Sequence, residues 1–191
     1  KNGFQPNPYA TDPCEHEFFS FQHLIQQENQ QHDYNYPNPC DSGGDISDYA
    51  DVFTHTRPVL AYKNQATSDN HPPQVPGFDI DGNSIGLPIT DGEQDVENAE
   101  IFNGIAAMTG DFYSGTSYPE EYLNMLPVLD YLGWLKIFWF NDNHELTRME
   151  HWLNGLSNVV DMRYNPYDEC YYTIGLFPSE IKKICYAGNL S

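Results

Sequence analysis

Positively charged side chains are scarce in this sequence. Lys and Arg together number 8 against 28 Asp and Glu, so the formal net charge at pH 7 is -20. A negative field of this size repels both phosphate backbones and anionic lipid surfaces. We therefore expect no nucleic-acid partner, whereas cationic partners, including metal ions, are compatible with the charge.

The chain also lacks a long apolar run and has no internal repeat. The apolar run 134–140 is far shorter than the roughly 18 residues that a membrane-spanning helix needs. We therefore expect no membrane span. The 14 Tyr, 11 Phe and 3 Trp nevertheless supply large apolar surfaces, and they predict a folded core.

Closely spaced cysteines are missing as well, which disfavours a zinc site. The four cysteines lie near the two ends of the chain, and their positions predict two local disulfides, with the crossed pairings left open. Disulfides form and persist in oxidising compartments, so we expect a secreted or extracytoplasmic protein. The predicted pairs are Cys14–Cys40 and Cys170–Cys185.

Two features at the ends of the sequence fit the same compartment. The chain begins at Lys1 without an initiating Met, as expected for a processed secreted protein or an excised domain. Asn189-Leu190-Ser191 is an N-glycosylation sequon, which predicts a glycan on Asn189.

Helical spacing and capping patterns predict most of the secondary structure. A strand is expected over 170–177, followed by a short helix capped by Ser179, whereas 135–140 fits either a strand or a helix. The elements add up to a mainly helical α+β fold with five or six helices, one or two short strands and long ordered loops. The other predicted helices begin at or next to Asp12, Ser47, Asp91, Ser117 and His144.

The length of 191 residues predicts a single domain over 1–191. Within it, 1–45 would be an N-terminal arm tied by a disulfide. The segment 63–90 shows no periodicity, which predicts a long irregular loop, and loops of that length are often functional.

The sequence Asp79-Ile80-Asp81-Gly82-Asn83 resembles the opening of a calcium-binding EF-hand loop. The resemblance covers five residues only, because Ser84 and Thr90 stand where the family has Gly and Glu. A calcium loop of another kind stays open, and a plain Asx turn is the favoured interpretation. The candidate calcium ligands are Asp79, Asp81, Asn83 and Asp91.

Two further patterns point towards hydrolysis. The stretch 82–86 matches the GxSxG nucleophile elbow, but Leu87-Pro88 follows it where a helix is required, which favours a turn. His144 and His151 lie seven residues apart, about 10.5 Å along a helix, which is too far to share one ion. Each could still join a metal or catalytic site together with Asp111.

Tyrosines are concentrated beside acidic residues near the C-terminus. Aromatic rings stack on sugar rings while polar groups bind hydroxyls, so this cluster is compatible with carbohydrate recognition, and equally with protein contacts. The cluster comprises Tyr164, Tyr167, Tyr171 and Tyr172 beside Asp161, Asp168 and Glu169.

The sequence as a whole favours a secreted, acidic, non-enzymatic protein that binds a partner or builds an extracellular assembly or surface. Calcium is the candidate stabilising ion, a protein or a carbohydrate is the candidate partner, and self-association is a further alternative. The second hypothesis is a secreted metal-dependent hydrolase with ligands drawn from Asp111, His144, His151 and the Asp79 loop, so enzymatic activity stays open.

Overall fold

β-Strands dominate the architecture. A computed structural model describes residues 5–10, 14, 16–64, 71–91 and 95–188. Strands make up 39% of the structure and helices 6%, and no helix in this part of the chain reaches seven residues. The expected mainly helical α+β fold is therefore wrong, and the protein is mostly β.

The chain divides into two compact units. The first comprises 1–58 and 76–86, and the second comprises 59–75 and 87–191. The segment 1–45, where we expected a disulfide-tied arm, belongs to the first unit. A single domain over 1–191 stays a prediction.

The first unit is built from very short elements. Strand β1 (Gln5–Pro6) pairs antiparallel with β2 (Phe18–Phe19), and a one-turn helix α1 (Phe21–Leu24) follows. Strand β3 (Ile25–Gln27) pairs in parallel with β4 (Phe53–His55). A 3₁₀ turn lies between these two strands at Ile46–Asp48. The buried core of this unit consists of Phe19, Leu24, Tyr36 and Ile46.

A β-hairpin occupies part of the segment 63–90. Strand β5 (Gln74–Phe78) and strand β6 (Ser84–Pro88) form a two-stranded sheet where we expected an irregular loop. Arg57 links the two strands of this hairpin. One of its guanidinium nitrogens donates to the carbonyls of Gly77 and Ile85 at 2.7 and 2.8 Å. The same guanidinium forms an ion pair with Glu28 at 2.6 Å.

The second unit contains two antiparallel sheets. The first has the order β10-β9-β8-β7, so strands that follow each other along the chain are neighbours. The second has the order β11-β12-β13. The strands are β7 (Ala107–Thr109), β8 (Leu126–Asp130), β9 (Leu135–Phe140), β10 (Leu146–Leu153), β11 (Val159–Asn165), β12 (Cys170–Gly175) and β13 (Glu180–Ile184).

Both faces of the four-stranded sheet are covered. Successive side chains of a strand point to opposite faces, and Ile137 of β9 packs into one apolar cluster while its neighbour Phe138 packs into another. A strand buried on both faces has a nearly continuous apolar sequence. The segment 135–140 therefore lacks the alternation of apolar and polar residues that identifies a strand. The alternative left open there is decided in favour of a strand.

The helix predicted from His144 is wrong, because this segment forms the bulged strand β10. Its pairing with β9 shifts register between Leu146 and Arg148 and again between His151 and Leu153. Each shift breaks the alternation of a regular strand. Leu146 and Met149, three residues apart, thereby pack into the same apolar cluster, which mimics helical spacing within a strand.

The other predicted helices are also replaced by single turns and strands. Helices gain most of their stability from packing an amphipathic face, so short apolar segments adopt whatever the tertiary pairing favours. The segment from Ser47 forms the 3₁₀ turn and β4, and that from Ser179 forms β13. Of the segment after Asp91, the described residues 95–106 are irregular up to β7. The segment from Ser117 forms a 3₁₀ turn (Glu120–Tyr122) and β8.

Two predictions near the chain ends have different outcomes. The strand expected over 170–177 is confirmed as β12, Cys170–Gly175. The cap at Asp12 lies outside the described residues, and the chain after it forms β2, α1 and β3 instead of one helix. None of the helices in the described ranges is long and apolar enough to cross a membrane.

Both predicted disulfides are confirmed. Cys14 and Cys40 are bonded within the first unit, with their Cα atoms 5.6 Å apart. Cys170 and Cys185 are bonded in the second unit, where the bond joins the start of β12 to the residue after β13. Two disulfides are consistent with an extracytoplasmic protein.

Candidate functional site

The second unit contains a cavity of about 360 Å³ that combines charged, amide and aromatic side chains. Cavities of this size are typical of sites for small molecules. We take it as the candidate ligand-binding pocket. The side chains used below are those of Glu100, Phe102, Asn103, Trp134, Lys136 and His151, with His71 and Asn154 completing the polar lining.

Lys136 is the most deeply placed charge of the pocket. Only 4% of its side chain is exposed, and its ammonium group forms an ion pair with Glu100. Its Nζ also lies 3.3 Å from Nδ1 of His151, which accepts a hydrogen bond in the tautomer with a proton on Nε2. A buried ammonium group needs such partners, because burying an unpaired charge is costly.

The sheet register brings Lys136 and His151 together. The two residues are Cα partners in the antiparallel pair of β9 and β10. Side chains of directly opposed residues lie on the same face and within contact distance. Lys136 and Phe138 share one face of β9 by alternation, so the ammonium group is directed towards the cluster that contains Phe102 and Trp134.

Aromatic rings form one wall around the ammonium group. The Nζ of Lys136 lies 4.8 Å from the ring centroid of Phe102 and 5.6 Å from that of Trp134. The face of an aromatic ring attracts a cation at such distances. The indole N–H of Trp134 donates to the carbonyl of Asn103 at 2.8 Å, which fixes the ring and the segment beside it.

A buried carboxylate supports this wall from behind. Asp130 is fully buried, and it accepts hydrogen bonds from the N–H groups of Ile105 and Ala106, each at 3.0 Å. It also accepts one from the hydroxyl of Tyr62 at 2.8 Å. The ring of Tyr62 contacts that of Phe102 with centroids 5.3 Å apart, and burial raises the pKa of its hydroxyl. The wall is thus positioned by a hydrogen-bonded network.

A second cavity shares one residue with the first. It measures about 250 Å³, and His71 lines both cavities. The remaining lining residues come from the chain on either side of the 65–70 segment, and they are Ala61, Tyr62, Lys63, Pro72 and Gln74.

Three of the four residues predicted to bind calcium form a self-contained turn. The carboxylate of Asp79 accepts hydrogen bonds from the N–H groups of Asp81 and Asn83 at 2.9 and 2.8 Å and from the Asn83 side chain at 3.0 Å. The hydrogen bond from the Asn83 side chain, followed by those from the backbone, lowers the pKa of Asp79. These are the contacts of an Asx turn. Asp91 belongs to the second unit. Its backbone N–H donates a hydrogen bond to the carbonyl of Pro88.

The described residues offer no group of three or more His, Cys, Asp or Glu side chains that could hold a metal ion. Calcium at Asp79 therefore stays a prediction. Ser84, the central residue of the GxSxG match, lies in β6, so a strand follows it where the nucleophile elbow requires a helix. Its hydroxyl donates to the backbone carbonyl of Glu28.

The three residues of the hydrolase hypothesis lie in different settings. Asp111 follows β7, and its carboxylate accepts a hydrogen bond from the N–H of Tyr164 at 3.1 Å. His144 is exposed in the turn between β9 and β10, with φ at 64°. His151 lies in the pocket described above. Of the three, only His151 takes part in the candidate site.

The tyrosine cluster of the C-terminal region does not present one binding face. Tyr171 is buried and donates to the carbonyl of Asp111 at 3.0 Å, whereas Tyr167 is 96% exposed. Tyr172 donates to the carboxylate of Asp168, and this bond is the main cause of the lowered pKa of Asp168. Asn189, the predicted glycosylation site, lies outside the described residues.

No protein-family model, no curated protein and no solved structure matches this chain. The functional argument therefore depends on the chemistry of the pocket.

Sequence reasoning missed the two charged residues at the centre of the pocket. Lys136 carried a usable signal, because it is the one charge inside the apolar run 135–140. A charge in a buried strand needs a partner, and it often marks a site. Glu100 had no comparable signal, since it lies 36 residues from Lys136 in an irregular segment.

Proposed function

We propose that the protein is a secreted, non-enzymatic binding protein that holds a small saccharide in the pocket around Lys136. The observation that carries the proposal is the ion pair of the buried Lys136 with Glu100, set against aromatic rings in a cavity of about 360 Å³. Ammonium and carboxylate groups can donate to and accept from sugar hydroxyls, and aromatic rings pack against the C–H faces of sugars.

Amide side chains complete this recognition chemistry. Asn103 and Asn154 are exposed residues of the pocket lining, and each amide offers both donors and an acceptor. A sugar hydroxyl likewise donates and accepts, so this lining matches a polyhydroxylated ligand better than an apolar one. The two disulfides support the secreted location.

The carboxylate content of the pocket favours binding over hydrolysis. Most glycosidases use two carboxyl groups on either side of the scissile bond. Among the described lining residues Glu100 is the only carboxylate, and its oxygen is engaged by Lys136. We therefore propose retention of the saccharide without cleavage.

The proposal is tested by titrating the protein with a panel of mono- and disaccharides while following NMR chemical shifts or calorimetric heat. Lys136→Met should weaken binding by about tenfold or more, because it removes a charged hydrogen-bonding group. Lys182→Met, on β13, is the matched control and should bind as the wild type does. Asn154→Ala provides a second test at an exposed residue, with little risk to folding. The proposal fails if no saccharide of the panel binds to the folded wild-type protein.

A further inference from the structure

The basic side chains of this chain are unevenly distributed. The whole sequence has 28 acidic residues against 8 Lys and Arg and 7 His, whereas the described pocket lining holds one carboxylate against one Lys and two His. The pocket is therefore locally far less acidic than the chain around it. The basic residues are Lys136, His71 and His151.

The positions of these charges differ in depth. Lys136 is 4% exposed, while the Glu100 side chain that neutralises it is 44% exposed. The His151 ring contacts the ammonium group directly, with 3.3 Å between Nδ1 and Nζ. The other charged and titratable groups of the lining are Lys136 from β9, Glu100 from the segment before β7, and His71 from the segment before β5.

Protonation of His151 would create an uncompensated positive charge. Histidine is the side chain whose charge changes between about pH 5 and 8. A proton on Nδ1 removes the acceptor for Lys136 and places two cations in contact, while Glu100 can neutralise only one of them. An anion bound in the pocket would relieve this repulsion.

We propose that the preferred ligand of the pocket is a saccharide that carries a carboxylate, and that its binding strengthens as the pH falls below neutrality. This inference rests on the proposed function and specifies its substrate class. Proton uptake by the histidines and binding of the anion favour each other, and this coupling is reciprocal. A neutral sugar brings no charge, so its affinity gains nothing from the same protons.

Glucose and glucuronic acid form the matched pair of probes, because they share one ring and differ only at C6, a hydroxymethyl group against a carboxylate. Both are titrated by calorimetry at about pH 7.5 and about pH 5.5, where the glucuronate carboxyl stays ionised and histidine changes charge. We expect glucuronate to bind roughly three- to tenfold more tightly at the lower pH, since each coupled proton can contribute up to tenfold per pH unit. Glucose should show no such gain.

Variants assign the gain to the histidines. His151→Gln keeps an oxygen that can accept from Lys136 but does not titrate, so it should reduce the gain, and the double variant His71→Gln/His151→Gln should abolish it. His144→Gln, in the exposed turn, is the matched control and should keep the full gain.

The possible failures are distinguishable. Equal binding of both sugars at both pH values overturns the anionic preference and leaves the proposed function standing. A gain for glucuronate that persists in the double variant also overturns the inference. If neither sugar binds at either pH and no other saccharide binds, both the proposed function and the inference are refuted.

Discussion

The hydroxyl of Tyr62 donates a hydrogen bond of 2.8 Å to the carboxylate of Asp130, a residue with no exposed surface. The same carboxylate accepts from the backbone N–H groups of Ile105 at 3.0 Å and Leu132 at 2.9 Å. Gly104 makes this approach possible, since a Cβ atom there would collide with the carboxylate. One buried side chain thus joins three segments of the second unit.

Asp130→Ala should lower the free energy of unfolding of the second unit by about 3 kcal/mol or more. The substitution leaves the part-buried hydroxyl of Tyr62 and several part-buried backbone N–H groups without this acceptor, and each such donor carries a desolvation penalty. Urea unfolding measures the change. Asp142→Ala, at an exposed position in the turn between β9 and β10, is the control and should stay within about 0.5 kcal/mol of the wild type. Equal stability of the two variants would contradict the assigned role of Asp130.

Glu169 should make the second unit sensitive to strong acid. Hydrogen bonds from Ser117 are the largest cause that lowers the pKa of Glu169 from 4.5 to about 2, and the N–H of Thr116 contributes a bond of 2.7 Å. Because the folded-state pKa lies below the unfolded one, the stabilisation is complete above about pH 4.5 and is lost as the pH falls towards about 2. Glu169→Gln should lower the melting temperature by a few degrees at neutral pH and flatten its decline in acid.

The matched control for this prediction is Glu121→Gln, since Glu121 is exposed and its substitution leaves the Ser117 contact intact. Thermal unfolding followed by circular dichroism between about pH 7 and about pH 2 covers the range of the shift. A decline in Glu169→Gln as steep as in the wild type would refute the prediction.

The disulfide between Cys170 and Cys185 should stabilise the second unit by roughly 3 kcal/mol, the value expected when a bond closes a short loop. The two residues are separated by 15 positions, and Cys170 is buried at the start of β12. Urea unfolding of Cys170→Ala/Cys185→Ala should show this loss without added reductant. Cys14→Ala/Cys40→Ala keeps the C-terminal bond, so its second unit should still lose stability when reductant is added. Insensitivity of that variant to reductant would count against the prediction.

The first unit should become less stable in mild acid because of His23. Burial is the main cause that lowers the pKa of His23 below 6.5, and the charge of nearby His16 acts in the same direction. The Nδ1 of His23 also accepts a hydrogen bond of 3.0 Å from the N–H of Ser20, which requires this nitrogen to be unprotonated. The neutral ring is therefore the stabilising form, and its contribution is lost as the pH falls through the folded-state pKa.

His23→Asn should remove this part of the pH dependence, because an asparagine oxygen can accept from a backbone N–H without titrating. Thermal unfolding at about pH 7.5 and about pH 5 measures the effect around the range in which histidine titrates. His55→Asn, at an exposed position of β4, is the control and should decline in acid as the wild type does. The same decline in both variants would exclude His23 as the cause.

The sequence was informative where the structure is determined locally. Cys170 and Cys185 are close along the chain, so their pairing followed from spacing. The contacts of Asp79 with Asn83 arise within five residues and were anticipated as an Asx turn. The helices failed because their patterns were judged one segment at a time, whereas the bulges that give Leu146 and Met149 their spacing come from pairing with another strand.

The pocket could be predicted only in part for the same reason. His151 was a candidate because of its chemistry, as part of a metal or catalytic site with Asp111 and His144. Its contact with Lys136 depends on the register of β9 and β10, and the approach of Glu100 depends on where an irregular segment crosses the sheet. Residue spacing carries no information about either arrangement.

Strand β13 has β12 as its single neighbour among the described strands, which leaves its outer side as a template for a strand of another molecule. Ile181 is 70% exposed there, so burying it against an added strand would be favourable. Lys182 and Lys183 follow it in the strand and form ion pairs with Glu180 and Asp168. Pairing with another strand would desolvate these ammonium groups, which is unfavourable. Two of the few lysines in this acidic chain thus lie where charge disfavours edge-to-edge pairing with another molecule.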